Sequence, residues 1–337
     1  MKFLILTATI IISFGLTQLV RKSAIKRNKF DIPNERSSHK NPTPRGGGLA
    51  VVAAFVFGLL ALLVRRDIDT ESFFALVLPG LFVATIGYLD DLGHFTATRL
   101  RLIGHFVAAV IAIYILGGLP PMPLFSTTLD IGLVGNIIAI LFLVWMLNLF
   151  NFMDGIDSIT GVETLTSCLV LTFFLFNISE TEMWQVPALL CGAVIGFLYF
   201  NWPPAKIFLG DIGSGFIGFT IGVISLVIAK TQPLITWATI ILLGVFIVDA
   251  TVTLIRRLIN RQQISKAHRS HAFQHLASSP DRHLKVSLSI AAVNIFWLAP
   301  IAWLVADQRI MPIVGVAISY APLLVLAIYF KAGKTAN

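Results

Sequence analysis

Long apolar stretches alternate with short polar loops from one end of the chain to the other. Eleven stretches are long enough to cross a hydrocarbon core as helices: 3–20, 47–64, 72–89, 102–118, 132–152, 160–178, 185–201, 212–229, 234–255, 286–306 and 311–330. They predict an all-α polytopic membrane protein with about 11 transmembrane helices, forming a single transmembrane domain over residues 1–337. The first stretch has no small-residue cleavage site ahead of Arg21 and Lys22, so it reads as a retained span and not as a signal peptide.

Composition agrees with this pattern. The chain is 56% hydrophobic and 12% charged, with a mean hydropathy of +0.85, which excludes an ordinary soluble domain. Cys168 and Cys191 both lie inside apolar runs and read as packing residues. The net charge of +8 invites a nucleic-acid reading, but the basic residues sit in loops between spans, where membrane orientation accounts for them. Of the Lys and Arg residues, 20 fall in 21–46, 90–101, 153–159, 202–211, 256–285 and the tail from 331. The other five are Lys2, Arg65, Arg66, Lys230 and Arg309. This bias predicts a periplasmic N-terminus and a cytoplasmic C-terminus. The same assignment puts the loops with Asp90, Asp91, Asp154, Asp157 and Asp211 on the cytoplasmic side.

The acids in those loops are the candidate chemistry. Asn148 to Asp157, NLFNFMDGID, closes the fifth span and puts Asp154 and Asp157 three residues apart, one helical turn. Hard carboxylate oxygens in that arrangement suit Mg²⁺ or a phosphate–metal complex, whereas an Asp-Gly turn closing a helix is the purely structural reading. Asp90 and Asp91 end the third span. Adjacent acids at a helix C-terminus oppose the dipole and repel each other unless solvated or met by a cation. Arg99, Arg101 and His105 follow at the start of the fourth span, within reach of phosphate oxygens, although for His105 a place in the core is the simpler reading. Asp211 stands in a glycine-bracketed turn at the start of the eighth span, with Phe208 beside it as a face for a base.

Three further features widen the picture. Residues 37–48, SSHKNPTPRGGG, set Lys40 and Arg45 before three glycines at the mouth of the second span. Free backbone N–H groups there could hold an anion, or the segment could anchor the chain to anionic lipid headgroups. Asp249 lies within the ninth span and reads as a structural partner or as part of the site. In the long loop after it, Lys266, His268, Arg269, His271 and His275 cluster. No Cys or Glu joins them at zinc-ligand spacing, so diphosphate binding fits better than a metal centre.

Taken together, SSHKNPTPRGGG, GYLDD, NFMDGID, IFLGDIGSG and HRSH resemble the polyprenyl-phosphate N-acetylhexosamine-1-phosphate transferases, the membrane family of the WecA, WbpL and MraY enzymes, over about residues 31–285. The resemblance implies transfer of a sugar 1-phosphate from a UDP-N-acetyl sugar to undecaprenyl phosphate with release of UMP, on the cytoplasmic face of a bacterial inner membrane, with Mg²⁺ or Mn²⁺. It implies that Asp90 and Asp91 match the paired acids, one of them the base for the lipid phosphate. It sets Asp211 as the metal aspartate, Phe208 as the aromatic on uracil, and Asn151, Asp154 and Asp157 as the nucleotide and metal segment. Arg101 matches a basic residue of the fourth span, and His268 and His271 match the outer histidines of the loop signature. The HRSH and SSHKNPTPRGGG forms look closest to the WbpL-like branch, which begins O-antigen synthesis with 6-deoxy sugars such as UDP-N-acetylfucosamine or N-acetylquinovosamine. A homodimer is one assembly open to such a chain.

Other classes account for less. A transporter for a nucleotide sugar or a lipid-linked glycan would hold its charges near the bilayer midplane, yet apart from Glu163 and Asp249 the candidate acids Asp90, Asp91, Asp154, Asp157 and Asp211 sit at span ends on one face. A scaffold would leave the acid sites unused. The Asp-Gly-x-x-Ala-Arg pattern of CDP-alcohol phosphotransferases is absent, since Asp154-Gly155 continues as Ile156-Asp157-Ser158.

Overall fold

The computed structural model describes residues 2–33, 38–39, 41–94, 98–124, 127–178, 182–262 and 268–334. Of the residues singled out above, Ser37, Lys40 and Lys266 lie outside the described set. The helices in chain order are α1 (Lys2–Lys26), α2 (Gly48–Val64), α3 (Thr70–Asp91), α4 (Thr98–Ile115), α5 (Gly132–Met153), α6 (Ile159–Ile178), α7 (Gln185–Asn201), α8 (Asp211–Ala229), α9 (Leu234–Leu242), α10 (Gly244–Ile259), α11 (Ala272–Leu276), α12 (His283–Val293), α13 (Ala299–Ala306) and α14 (Pro312–Tyr329). Two short antiparallel ladders join Phe30–Asp31 to Thr43–Pro44 and Met122–Leu124 to Thr127–Leu129.

Among the described residues, nine helical segments are long and apolar enough to span a membrane. A tenth span is the bent pair α9 and α10, and α2, at 17 residues, is the short apolar helix that fills the remaining predicted position. The chain is therefore an all-α, multi-pass membrane protein. Helix α8 is its axis: every residue from Ile212 to Ala229 is buried, as expected of a helix that is apolar all round. It packs most extensively on α3 and α5. The approach of α2 is closer than side chains allow. A Cβ on Gly48 would stand 2.3 Å from the Gly213 Cα, so both positions need glycine.

Two spans depart from the straight helices that the sequence predicts. The stretch 234–255 breaks by 67° between Leu242 and Gly244. The break frees the Ile240 carbonyl, which takes the Tyr320 hydroxyl at 2.6 Å, so this acceptor is not abandoned in an apolar setting. It also lets α10 turn Asp249 inward. The stretch predicted as 286–306 begins earlier, at Pro280, and carries a π turn at Asn294–Leu298. There the Asn294 amide donates to Glu163 Oε2 at 2.7 Å and to Thr166 Oγ1 at 2.8 Å, pinning the bulge to α6.

Candidate active site

The acid-bearing ends of α3, α5 and α8 meet at one end of the bundle. Arg45 joins two of them. Its Nε lies 2.9 Å from Asp91 Oδ1, and its Nη2 donates to Asp211 Oδ1 at 2.8 Å. Arg101 pairs with Asp90 and stands 3.8 Å from Asp211 Oδ2. Two cations and three carboxylates thus form one half-buried network. Burial alone would lower the Arg45 pKa, but Asp211 and Asp91 outweigh it and hold the guanidinium above its ordinary value.

Asp91 is also a helix cap. Its Oδ1 accepts from Asp211 N at 3.0 Å and its Oδ2 from Ile212 N at 3.2 Å, satisfying two orphan donors of the α8 N-terminus. Such a cap contributes about 1 kcal/mol. The turn before it must be glycine. Gly210 has φ +79°, and a Cβ there would lie 2.5 Å from Asp91 Oδ2. This is the physical content of the Leu-Gly-Asp sequence.

The N–H groups of the glycines at 46–48 are not free, as the anion reading requires. Gly46 and Gly47 donate their N–H groups to Phe208 O, at 3.2 and 2.9 Å, and Gly48 donates to Leu209 O at 2.8 Å. These N–H groups are spent on the α7–α8 loop and hold no anion. They bring Arg45 to the acids and Phe208 to the cavity wall instead.

Asn151 donates to Ser214 Oγ at 3.3 Å, tying the end of α5 to the first turn of α8. Asp154 caps α5, and burial pushes its pKa up to about 7. Asp157 faces another way. Its Oδ2 accepts from Ala205 N at 3.1 Å and lies 3.3 Å from His283 Nδ1, while the Ser158 N–H goes to Asn201 Oδ1 at 2.9 Å. This corner of the DGID segment fastens α6, the α7–α8 loop and α12 together.

A cavity of about 200 Å³ is enclosed by these groups, including Arg45, Asn151, Asp154, Asp157, Phe208 and Asp211. His39 stands edge-on to the Phe208 ring, with centroids 4.8 Å apart. Ser38 Oγ, His39 Nε2 and His283 Nε2, from three residues of the same wall, are buried without a hydrogen-bond partner among the described residues. Buried polar atoms left unpaired around a cavity are what a polar ligand would complete.

The loop histidines are not part of this wall. His271 is buried, with Nδ1 3.3 Å from Asp249 Oδ1. Asp249 also takes the Ala272 and Phe273 N–H groups at 2.9 and 3.0 Å. Asp249 therefore serves the loop structurally, as the cap of α11. His268 stacks on His271 at 5.1 Å, and its pKa is lowered to about 4 by burial, by His271 and by Arg257. Neither His268 nor Arg269 lines the cavity. His283, in contrast, was invisible as a site residue: it opens an apolar span outside every motif, and only its packing against Asp157 brings it in.

The donor set suits a hard cation. The cavity offers carboxylate oxygens from Asp154 and Asp211 and no thiolate. Among the described residues, no three His, Cys, Asp or Glu side chains converge at metal-ligand spacing. That arrangement matches Mg²⁺, which commonly takes one or two carboxylates and completes its shell with water and substrate phosphate.

The segment 73–229, from α3 through α8, matches the model of glycosyl transferase family 4. The chain is 31% identical over 281 residues to a probable undecaprenyl-phosphate N-acetylglucosaminyl 1-phosphate transferase of Bacillus subtilis, covering 81% of this chain and 76% of the relative. It is 30% identical over 272 residues to the undecaprenyl-phosphate alpha-N-acetylglucosaminyl 1-phosphate transferase of Thermotoga maritima, covering 78% and 79%. It is also 30% identical over 279 residues to a phospho-N-acetylmuramoyl-pentapeptide-transferase of Halalkalibacterium halodurans, covering 75% and 82%. With its acid clusters inside the matched segment and its relatives aligned over most of their length, the chain belongs to glycosyl transferase family 4, the membrane enzymes that transfer a hexosamine 1-phosphate to a prenyl phosphate.

Proposed function

We propose that the protein transfers an N-acetylhexosamine 1-phosphate from a UDP-sugar to undecaprenyl phosphate at the cytoplasmic face of the bacterial inner membrane. The observation that carries this reading is a shared wall. Phe273 touches Gly155 at the polar cavity, its ring carbon 3.0 Å from where a Cβ of Gly155 would stand. The same Phe273 lines an apolar groove of about 510 Å³ between α10, α12 and α14, with Arg282 and Lys285 among its residues. A polar pocket backed by an apolar groove suits a water-soluble diphosphate donor and a lipid acceptor whose phosphate needs a cation nearby.

In the proposed reaction an oxygen of the prenyl phosphate attacks the β-phosphorus of the UDP-sugar. The bond to the α-phosphate oxygen breaks, UMP leaves, and a new diphosphate links sugar to lipid. Asp211 and Asp154 are the oxygen donors suited to Mg²⁺, with Mn²⁺ as a substitute, and the ion would supply charge neutralisation to the diphosphate. Arg45 and Arg101 hold Asp91, Asp90 and Asp211 in place, and Arg45 adds positive charge at the cavity wall. Asp91 is committed to capping α8, which leaves Asp90 as the better candidate for taking the proton of the lipid phosphate. Phe208 offers its ring to uracil, with His39 behind it.

Two relatives are named for N-acetylglucosamine, so UDP-N-acetylglucosamine is the first donor to test. A 6-deoxy donor and a role in O-antigen synthesis rest on the HRSH and SSHKNPTPRGGG forms alone. The test is nucleotide release by the purified protein with undecaprenyl phosphate, Mg²⁺ and each UDP-sugar in turn. UMP that requires both lipid and Mg²⁺ supports the reading, and the fastest donor names the sugar. UDP as product would overturn it.

A further inference from the structure

Two side chains on the cavity wall have an acceptor committed to the backbone, which directs their N–H donors elsewhere. The amide N–H of Asp157 is aimed at His283 Nδ1, 3.4 Å away. With Nδ1 as the acceptor of that N–H, the ring proton sits on Nε2. That Nε2 is buried and unpaired among the described residues, on a side chain only 1% exposed. The Asp157 carboxylate, 3.3 Å from Nδ1, is itself held by the Ala205 N–H at 3.1 Å. Across the wall, Gln274 Oε1 accepts the His271 N–H at 3.2 Å, which fixes the orientation of the amide. Its Nε2 consequently lies against Gly155, 3.0 Å from where a Cβ would stand. Both side chains line the cavity.

We infer that the His283 Nε2–H and the Gln274 side-chain NH₂ form a neutral donor pair that takes a carbonyl oxygen of the donor substrate. The inference rests on the proposed function and assigns part of its specificity. A carbonyl fits this wall better than a phosphate does. The cations of the site, Arg45 and Arg101, sit at the Asp90, Asp91 and Asp211 corner. The Gln274 and His283 wall is shared with the carboxylate of Asp157, 3.3 Å from the His283 ring, which would repel an anion. Neutral amide and imidazole donors facing acids suit an uncharged acceptor, and a buried donor left unpaired carries a cost that such an acceptor removes. A UDP-N-acetyl sugar brings carbonyls from two sources, the acetamido group and the uracil ring. The HRSH segment enters the argument indirectly, because the His271 backbone is what orients Gln274.

The test is binding of UMP, UDP-N-acetylglucosamine and UDP-glucose to the full-length protein in nanodiscs, for wild type, Gln274→Glu and His283→Phe. Gln274→Glu keeps an oxygen for the His271 N–H, so the fold of α11 should survive. It exchanges the donor for a negative charge, so its losses are assigned to a carbonyl only where the uncharged His283→Phe shows the same pattern. The thermal midpoint checks the fold of both variants. A folded variant is expected to lose roughly ten-fold in affinity for UDP-N-acetylglucosamine. If UMP and UDP-glucose binding are untouched, the carbonyl is the acetamido one. If all three weaken together, it is the uracil one. Folded variants that bind all three like wild type would overturn the donor pair while leaving the proposed function standing. A wild-type protein that binds none of them would overturn both.

Discussion

At the end of the bundle away from the cavity, Lys2 meets Glu182, Lys230 meets Glu71 and Arg65 meets Asp67, one cation to one acid. At the cavity end, Arg45 is shared by Asp91 and Asp211, and Arg101 stands between Asp90 and Asp211. The residue types are the same, but the connectivity is not. An isolated, partly solvated pair contributes about 0–1 kcal/mol and can be lost without consequence. A network in which Asp91 also caps α8 and Asp211 walls the cavity ties folding and site geometry together. Ion pairs at a membrane border are thus informative by what they share, and a count of them says little.

Substitutions at the two ends can break or sharpen that contrast. The largest effect is expected from Asp211→Asn, which removes the carboxylate common to both arginines and to the candidate cation. UMP release should fall by about 10²-fold or more while the detergent-purified protein still folds, as a cooperative thermal melt would show. Release at the wild-type rate would rule out the metal assignment. Gly210→Ala comes next. It forces a Cβ toward Asp91 Oδ2 at a φ of +79°, and should cost about 1–3 kcal/mol of stability together with most of the activity, read by thermal melt and product release in parallel. By contrast, Lys230→Met severs a pair at the far end and should change stability by no more than about 1 kcal/mol, with unaltered turnover. A marked loss there would mean that the two ends are coupled.

The smallest effect concerns the loop. His268 is held neutral to about pH 4, below its ordinary 6.5. Unfolded chains bind that proton first as pH falls, so this residue subtracts stability between about pH 6.5 and 4 and nothing above. His268→Gln should therefore flatten the decline of the thermal midpoint across that window. An unchanged decline would show that His268 is protonated in the fold.

Much of this arrangement is legible in the residues. Apolar run length gives the spans because a backbone in hydrocarbon must satisfy itself as helix, and the acids that end α3 and α5 and begin α8 stand out because charge at a membrane border is costly. What escapes the sequence is direction. Asp157 and Asp154 sit one turn apart in a motif, yet one faces Ala205 and His283. The glycines at 46–48 look like free donors, but only the fold reveals that Phe208 and Leu209 consume them. The break after Leu242 carries no proline, and its compensation comes from Tyr320, far along the chain. Such features depend on pairings between distant segments, which neither periodicity nor spacing encodes.

In the proposed reaction the cavity moves a sugar together with its attached phosphate. The most direct measurement uses a UDP-N-acetyl sugar radiolabelled at the β-phosphate, with undecaprenyl phosphate, Mg²⁺ and the purified protein. The label is expected to enter the lipid fraction as unlabelled UMP appears in the aqueous one. Label that stays in water as UDP while sugar reaches the lipid would contradict the account.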